Sequence, residues 1–307
     1  MPRRNDSTYV YNVQSLKKVF PFIMPRKCDS LVFIDLDLDL TKTLEFIQNN
    51  ISASLDRKYR VFEILIAALV RLIVLRPELN RFIMNKRLWQ RNEISLNFIV
   101  KEEYNDEAPE HSIILRFDPN STLEEISIKV NKKIDEAREN SSINNNNGAD
   151  RLVDIFTAFP PFILTAIVSF IKFLDTKGIA PKSIIDEDGL HCTAYLSNLG
   201  SIGLKNSSVH HHLYQWGTTS LFITIGSLSR KRIKKNNSIE RCDTINLGIT
   251  LDERIAEGYY FVQSLKVLQD LLNNPEQLLM KPHSIKERPA KSRRELKKRL
   301  KLKKEIS

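Results

Sequence analysis

The chain has 307 residues, 42% of them apolar, enough for one sizeable core, and a formal net charge of +10. That charge sits at one end. Residues 281–307 carry 12 Lys or Arg against three Glu, whereas the preceding 280 residues carry 35 basic and 34 acidic side chains. A balanced body argues against a domain built on a basic surface, and Cys28, Cys192 and Cys242, without CxxC spacing, exclude a zinc knuckle and a disulfide framework.

The odd cysteine count points to a reducing, cytoplasmic setting, and Met1-Pro2-Arg3-Arg4-Asn5-Asp6 lacks the apolar run of a signal peptide. In chain order, residues 31–40 alternate Leu31 and Phe33, then Leu36, Leu38 and Leu40 against Asp35, Asp37 and Asp39, the period of a strand with one wet face. Thr41 opens a helix to about Asn50, and Tyr59–Leu75 is a long apolar helix closed by Arg76-Pro77. Arg87–Trp89 and Glu93–Lys101 are expected to form a hairpin. His111–Phe117 is a further strand, and Thr122-Leu123-Glu124-Glu125 starts a helix with a capping box.

An Asn/Ser run over Ser141–Gly148 is the pattern of a loop or an insertion point. Two helices follow, broken at Phe159-Pro160-Pro161. The second, Phe162–Leu174, is apolar nearly all round but shorter than the ~20 residues a bilayer requires, so it is a buried, subunit-facing or interfacial helix. His191–Ser197 and Ser220–Ser227 are strands joined through a loop at Asn206–Gly217. Lys231–Asn237 is a polar hairpin end, and the alternation of Ile245, Leu247, Ile249 and Leu251 runs into Asp252-Glu253-Arg254-Ile255-Ala256-Glu257-Gly258. Tyr260, Phe261, Leu265, Leu268 and Leu272 then recur at helical spacing up to Asn274-Pro275. Residues 1–280 form one α/β domain with a mixed sheet. Residues 281–307 form a basic tail, disordered or partly helical, that is either solvated or weakly attracted to a polyanion such as RNA or anionic lipid.

Four segments carry a resemblance. They are Arg76-Pro77-Glu78-Leu79-Asn80 at a helix end, Ser197-Asn198-Leu199-Gly200-Ser201-Ile202-Gly203 at a strand end, the strand Leu221–Gly226, and Asp252–Gly258. Together they resemble the chloramphenicol acetyltransferase-like superfamily, and most closely the catalytic domain of the dihydrolipoyl acyltransferases of 2-oxo acid dehydrogenase complexes, over Tyr11–Met280. The resemblance implies a two-layer α+β sandwich, a mixed sheet with helices on one face. It also implies a coenzyme A thioester as cosubstrate, no metal, and a homotrimer with active sites between subunits.

By the same resemblance Ser197 matches the serine that donates to the developing oxyanion. Asn198, Gly200 and Gly203 match its turn, Arg254 the arginine of the final turn, and Gly258 that turn's glycine. Glu257 stands for an aspartate that braces the turn, for which a basic residue such as Arg26 is the expected partner. In these relatives the final turn reads Asp-His-Arg-x-x-Asp-Gly, with the histidine as base. Here Glu253 occupies the histidine's place. A carboxylate ordinarily ionises near pH ~4.3 and is a weak acceptor for a thiol or hydroxyl proton, though burial can raise it. Glu253 is therefore a working carboxylate or a salt-bridge partner in a turn that has lost its base. The corresponding functions are an atypical acyl-CoA-dependent transferase with an unknown thiol, hydroxyl or amine acceptor, or an inactive trimeric scaffold or ligand-binding protein.

Two other histidine sources exist. His210-His211-His212 is a solvated loop, a metal site or a substitute base, and His191 is a core or surface histidine too far along its strand to serve Ser197. The stretch before Tyr11 has no room for a lipoyl domain, so this sequence is not expected to supply a swinging arm.

Overall fold

Alternating apolar residues and one long, mostly apolar helix dictate a layered arrangement, which the computed structural model shows for residues 4–50, 58–101, 110–141, 159–204, 209–235, 238–285, 289–290 and 292–306. The Asn/Ser residues after Ser141 and the helix expected before Phe159 lie outside the described residues. A six-stranded mixed sheet has the order β2-β9-β8-β7-β5-β6, comprising β2 Leu31–Asp39, β5 Ile94–Lys101, β6 Glu110–Phe117, β7 Ala194–Asn198, β8 Leu221–Lys235 and β9 Ser238–Asp252. The pairs β5–β7 and β7–β8 are parallel and the others antiparallel.

One face of this sheet is apolar. Leu96, Phe98, Ala194, Leu196, Leu221, Ile223, Ile249 and Leu251 meet the helical layer there. That layer contains α2 Thr41–Asn49, α3 Val61–Leu75, α4 Leu123–Ser141 and α7 Gly258–Asn273. Every residue of α3 from Glu63 to Val74 is buried, which explains why its sequence is apolar round the helix except at Glu63 and Arg71, each of which is hydrogen-bonded. The alternate residues, among them Ser95, Asn97, Ser197, Thr224, Asn246 and Thr250, line the opposite face, and the segment after residue 208 lies across it. Thr224 Oγ1 donates to the Val209 carbonyl, and His210 Nε2 pairs with Ile34 O at 3.0 Å. Gly248 admits this close approach, since a Cβ there would lie 2.1 Å from the Val209 oxygen.

The expected hairpin between Arg87–Trp89 and Glu93–Lys101 is a correction. β4, Arg87–Arg91, instead pairs with β3, Arg81–Met84, and with β1, Ser7–Tyr9, in a separate three-stranded sheet. Asn85 and Lys86 make the β3–β4 turn with φ of 51° and 55°, the two consecutive left-handed residues that a two-residue hairpin requires. β5 turns away to pair with β6 and β7.

Helix α1, Ser15–Ile23, and the short α6, Lys182–Glu187, are additions to the sequence reading. Helix α5, Pro161–Lys177, packs little of its surface within the protomer: Phe162, Phe170 and Phe173 are 74%, 61% and 54% exposed. No helix among the described residues is long and apolar enough to cross a membrane. In the basic segment, α8 spans Arg293–Ile306, and Ala290 before it is buried against the body.

Candidate functional site

The final turn begins where β9 ends. Asp252 pairs with Leu31 of β2, and the next amide, Glu253 N, donates to Ser30 O at 3.0 Å. The Asp252 carboxylate accepts from Ser30 Oγ at 2.9 Å and from Arg254 three times: N at 3.0 Å, Nε at 2.8 Å and Nη2 at 2.7 Å. Arg254 Nη1 reaches the Met24 carbonyl at 2.8 Å. Both side chains of this pair are almost wholly withdrawn from solvent, which is tolerable only because each charge is met and hydrogen-bonded. Asp252 and Arg254 thus close the turn on themselves.

Glu257 follows the turn and meets a basic residue other than Arg26. It is exposed at the start of α7 and lies 3.5 Å from Lys17 Nζ, whereas Arg26 pairs with Asp29 at 2.8 Å. The expected Glu257–Arg26 pair is therefore replaced, because Asp29 is three residues from Arg26 in the same short turn and captures its guanidinium locally. Glu253 is half-buried, and among the described residues its carboxylate has no hydrogen-bond or ion-pair partner. At Gly258 a Cβ would meet nothing within 4 Å, so the protomer itself places no steric demand for glycine there.

Ser197, next to last in β7, lies opposite Thr224, half-buried, and its hydroxyl likewise has no partner among the described residues. Asn198 caps the turn that follows: its Oδ1 accepts from Ser201 N at 3.2 Å, and Ser201 Oγ returns to the Asn198 carbonyl at 2.6 Å. Gly200 is required by contact, since a Cβ would lie 2.3 Å from the Gly226 oxygen. Gly203 is required by conformation, with φ of 96°. Asn80, of the first motif, ties the end of the long helix to the residues that lead into β5 and β7, through Glu93 O (2.9 Å) and Thr193 Oγ1 (2.7 Å).

Within one protomer the two ends of the site stay apart. Register places Ser197 level with Thr224 and Gly248, whereas Glu253 lies five residues further along β9 and two strands across. At ~3.3 Å per residue and ~4.8 Å per strand, that is roughly 19 Å. Asn198, Gly200 and Gly203 gather around Ser197; Arg254, Glu257 and Gly258 gather around Glu253.

Two charged groups beside the turn carry no sequence signature of their burial. Lys27 Nζ donates to Gly217 O at 2.9 Å and Trp216 O at 3.4 Å, and burial pushes its pKa down to about 7. His191, whose side chain is fully buried, bridges Asp188 (2.9 Å from Nδ1) and Asp175 (3.2 Å from Nε2). Burial alone would lower its pKa, but the two carboxylates outweigh that and raise it above the ordinary histidine value. Asp175 in turn takes Arg4 at 2.7 Å. His191 is therefore a structural clasp in the core. His211 stacks on Phe222 at 4.1 Å between centroids, and Phe222 on Tyr195 at 4.8 Å. Among the described residues no group of three His, Cys, Asp or Glu side chains is placed to hold a metal ion.

Comparison with known proteins agrees with the fold. Residues 167–280 match the family of 2-oxoacid dehydrogenase acyltransferases (catalytic domain). A probable dihydrolipoamide acetyltransferase from Listeria monocytogenes superposes with a TM-score of 0.55 at 12% identity, covering 86% of this chain and 93% of that one. The dihydrolipoamide acetyltransferase of Azotobacter vinelandii, studied for the roles of a serine, a histidine and an asparagine in its catalytic mechanism, gives 0.55 at 15% identity, covering 81% and 84%. A chloramphenicol acetyltransferase gives 0.53 at 12% identity, covering 86% and 99%. No curated protein sequence matches the chain significantly.

Proposed function

From the chloramphenicol acetyltransferase-like fold of this chain, we propose an acyl-CoA-dependent acyltransferase in which Glu253 takes the proton that a histidine takes in the relatives it resembles. The observation that carries this reading is the state of the final turn. Asp252 and Arg254, with Ser30 Oγ and the Met24 carbonyl, satisfy one another, so the turn does not need Glu253 as a salt-bridge partner, and the Glu253 carboxylate is half-buried and unengaged among the described residues.

The ~19 Å between Ser197 and Glu253 in one protomer requires the site to form between subunits, as the resemblance to trimeric acyltransferases implies. The exposed phenylalanines of α5, with Leu16, Phe22 and Ile23 of α1 at 65%, 59% and 65% exposure, supply apolar surface of the kind that subunit contacts cover.

In the proposed reaction a thiol, hydroxyl or amine acceptor attacks the thioester carbonyl, and its proton passes to Glu253. The carbonyl oxygen becomes an oxyanion that accepts a hydrogen bond from Ser197 Oγ of the adjoining subunit. Collapse breaks the carbon–sulfur bond, releases coenzyme A, and returns the proton from Glu253 to the departing sulfur. An acetyl-CoA turnover assay that follows free coenzyme A tests this. Glu253→Gln and Ser197→Ala should each lower kcat at least ~100-fold. No turnover from pH 6 to 9 with acetyl-, butyryl- or longer acyl-CoA, and no effect of Glu253→Gln, would favour an inactive scaffold instead.

A further inference from the structure

Helix α5 is anchored to the body through a carboxylate. Of its 17 residues only Asp175, in the last turn, is buried; Ile163, Leu164, Ile167, Ile171 and Leu174 are half-buried, and Phe162, Phe170 and Phe173 are exposed. Burying a carboxylate charge is costly unless cations and hydrogen bonds meet it. Two groups do so here. Arg4 Nη2 lies 2.7 Å from Asp175 Oδ1, and Arg4 Nη1 donates to the Asp175 carbonyl at 2.6 Å. On the other carboxylate oxygen, His191 Nε2 lies 3.2 Å from Asp175 Oδ2.

His191 turns both ring nitrogens on carboxylates, since Nδ1 is 2.9 Å from Asp188 Oδ2. Only an imidazolium carries a proton on each nitrogen, so this is the geometry of the charged form. The buried charges around the ring then balance. Arg4 of the N-terminal segment, Arg91 of β4, whose Nη1 donates to His191 O at 2.9 Å, and His191 itself are three cations; Asp6, Asp175 and Asp188 are three anions. Burial pushes the Cys192 thiol up, so it stays uncharged, and Lys27 meets the carbonyls of Trp216 and Gly217. Glu93, Arg116, Lys182 and Asp186, which line the same cavity as His191, pair among themselves.

Deprotonation removes one ring N–H, and the two carboxylates do not compete equally for the other. Asp188 makes the shorter contact and is itself fixed by Leu190 N at 2.8 Å and by Trp216 Nε1. The remaining proton therefore stays on Nδ1, and the Nε2 lone pair faces the Asp175 carboxylate. Arg4 alone then meets Asp175, and two buried cations stand against three anions. We propose that His191 is a proton-operated latch on α5, which holds the helix while both ring nitrogens are protonated and loosens it when Nε2 loses its proton. Burial alone would lower the pKa of His191, but the two carboxylates hold it above the ordinary value of ~6.5. The contribution of the latch is complete below the unfolded value and is lost as pH rises through the folded one. The latch is separate from Ser197 and Glu253 and does not depend on acyl transfer. It makes the exposed phenylalanines of α5 a surface whose attachment to the body varies with pH.

Hydrogen exchange of the full chain, read by mass spectrometry at pH 6 and pH 9 and corrected for the intrinsic pH dependence of exchange, tests the latch. Protection of peptides within Pro161–Lys177 should fall about tenfold between the two, the factor carried by one unit of pKa difference, while that of α3 does not fall. Lys27, with its pKa of about 7, titrates in the same range with the opposite sign, stabilising the fold as pH rises, so it cannot produce the fall. In Asp175→Asn the side-chain amide can donate to the Nε2 lone pair of a neutral His191, and the fall in α5 protection should disappear. Constant α5 protection in the wild-type protein, an equal fall in α3, or an undiminished fall in a folded Asp175→Asn would each overturn the proposal, and the first two need no variant.

Discussion

Replacing Asp252 by Asn preserves the shape of the final turn and deletes its charge. Arg254 would then keep the Met24 carbonyl at 2.8 Å but lose its ionic partner, to which it now makes three hydrogen bonds of 3.0 Å or less. Both side chains are at least 98% withdrawn from solvent, so the guanidinium left behind could not be rescued by water without opening the turn. Breaking a buried pair by removing one partner costs about 3–5 kcal/mol, a large part of the roughly 5–15 kcal/mol that stabilises a typical domain. On that scale Asp252→Asn should lower the melting temperature by on the order of 10 °C. Removing both charges, as in Asp252→Asn with Arg254→Met, should cost less than the single Asp252 change, because no uncompensated charge remains. The assay is urea unfolding followed by circular dichroism, arranged as a double-mutant cycle. A coupling energy below ~0.5 kcal/mol, or an Asp252→Asn protein as stable as wild type, would refute the view that this pair holds the turn and leaves Glu253 free for other work.

The glycines of the two motifs should separate by mechanism. Gly200→Ala drives a Cβ to 2.3 Å from the Gly226 backbone and should cost about 1–3 kcal/mol in urea unfolding, whereas Gly258→Ala meets open space in the protomer and should leave monomer stability unchanged. Lys27 has a folded-state pKa of about 7, down from 10.5, so the unfolded chain holds a proton that the folded chain lacks between those values. Its contribution is complete above the unfolded pKa and is lost as pH falls towards 7, a slope of up to about 1.4 kcal/mol per pH unit. Lys27→Met should therefore flatten the dependence of unfolding free energy on pH between 7.5 and 9.5; an unchanged slope would show that Lys27 is not buried as described.

Much of the architecture was legible because burial imposes a period. The alternation in Leu31–Leu40 and Ile245–Leu251 gave neighbouring strands, paired residue for residue in the structure, and the mostly apolar run after Tyr59 gave the helix buried on every side. The β3–β4 hairpin was missed because its turn, Asn85-Lys86, lacks the glycine that usually marks two left-handed residues. In the site, Ser197, Asn198, Gly200 and Gly203 were legible only through the resemblance carried by the run Ser197–Gly203, and the structure folds that run into a capped turn against β8. The Asp252–Arg254 pair that closes the final turn was not legible, because Asp252 belongs to a strand pattern and shows no sign, from sequence, that its carboxylate turns back onto Arg254. Burial of Lys27 and the carboxylate clasp around His191 join residues far apart in the chain, and no local period records such contacts.

The central claim is that acyl transfer uses Ser197 from one subunit and Glu253 from the next. Ser197→Ala and Glu253→Gln proteins, each inactive alone, can be unfolded together, refolded at equal concentration and assayed for acetyl-CoA turnover. If each site is shared, roughly a quarter of the sites in randomly mixed trimers carry both native residues, and activity should return to about that fraction of wild type. A mixture as inactive as its components, with mixed assembly verified by mass spectrometry, would contradict the account.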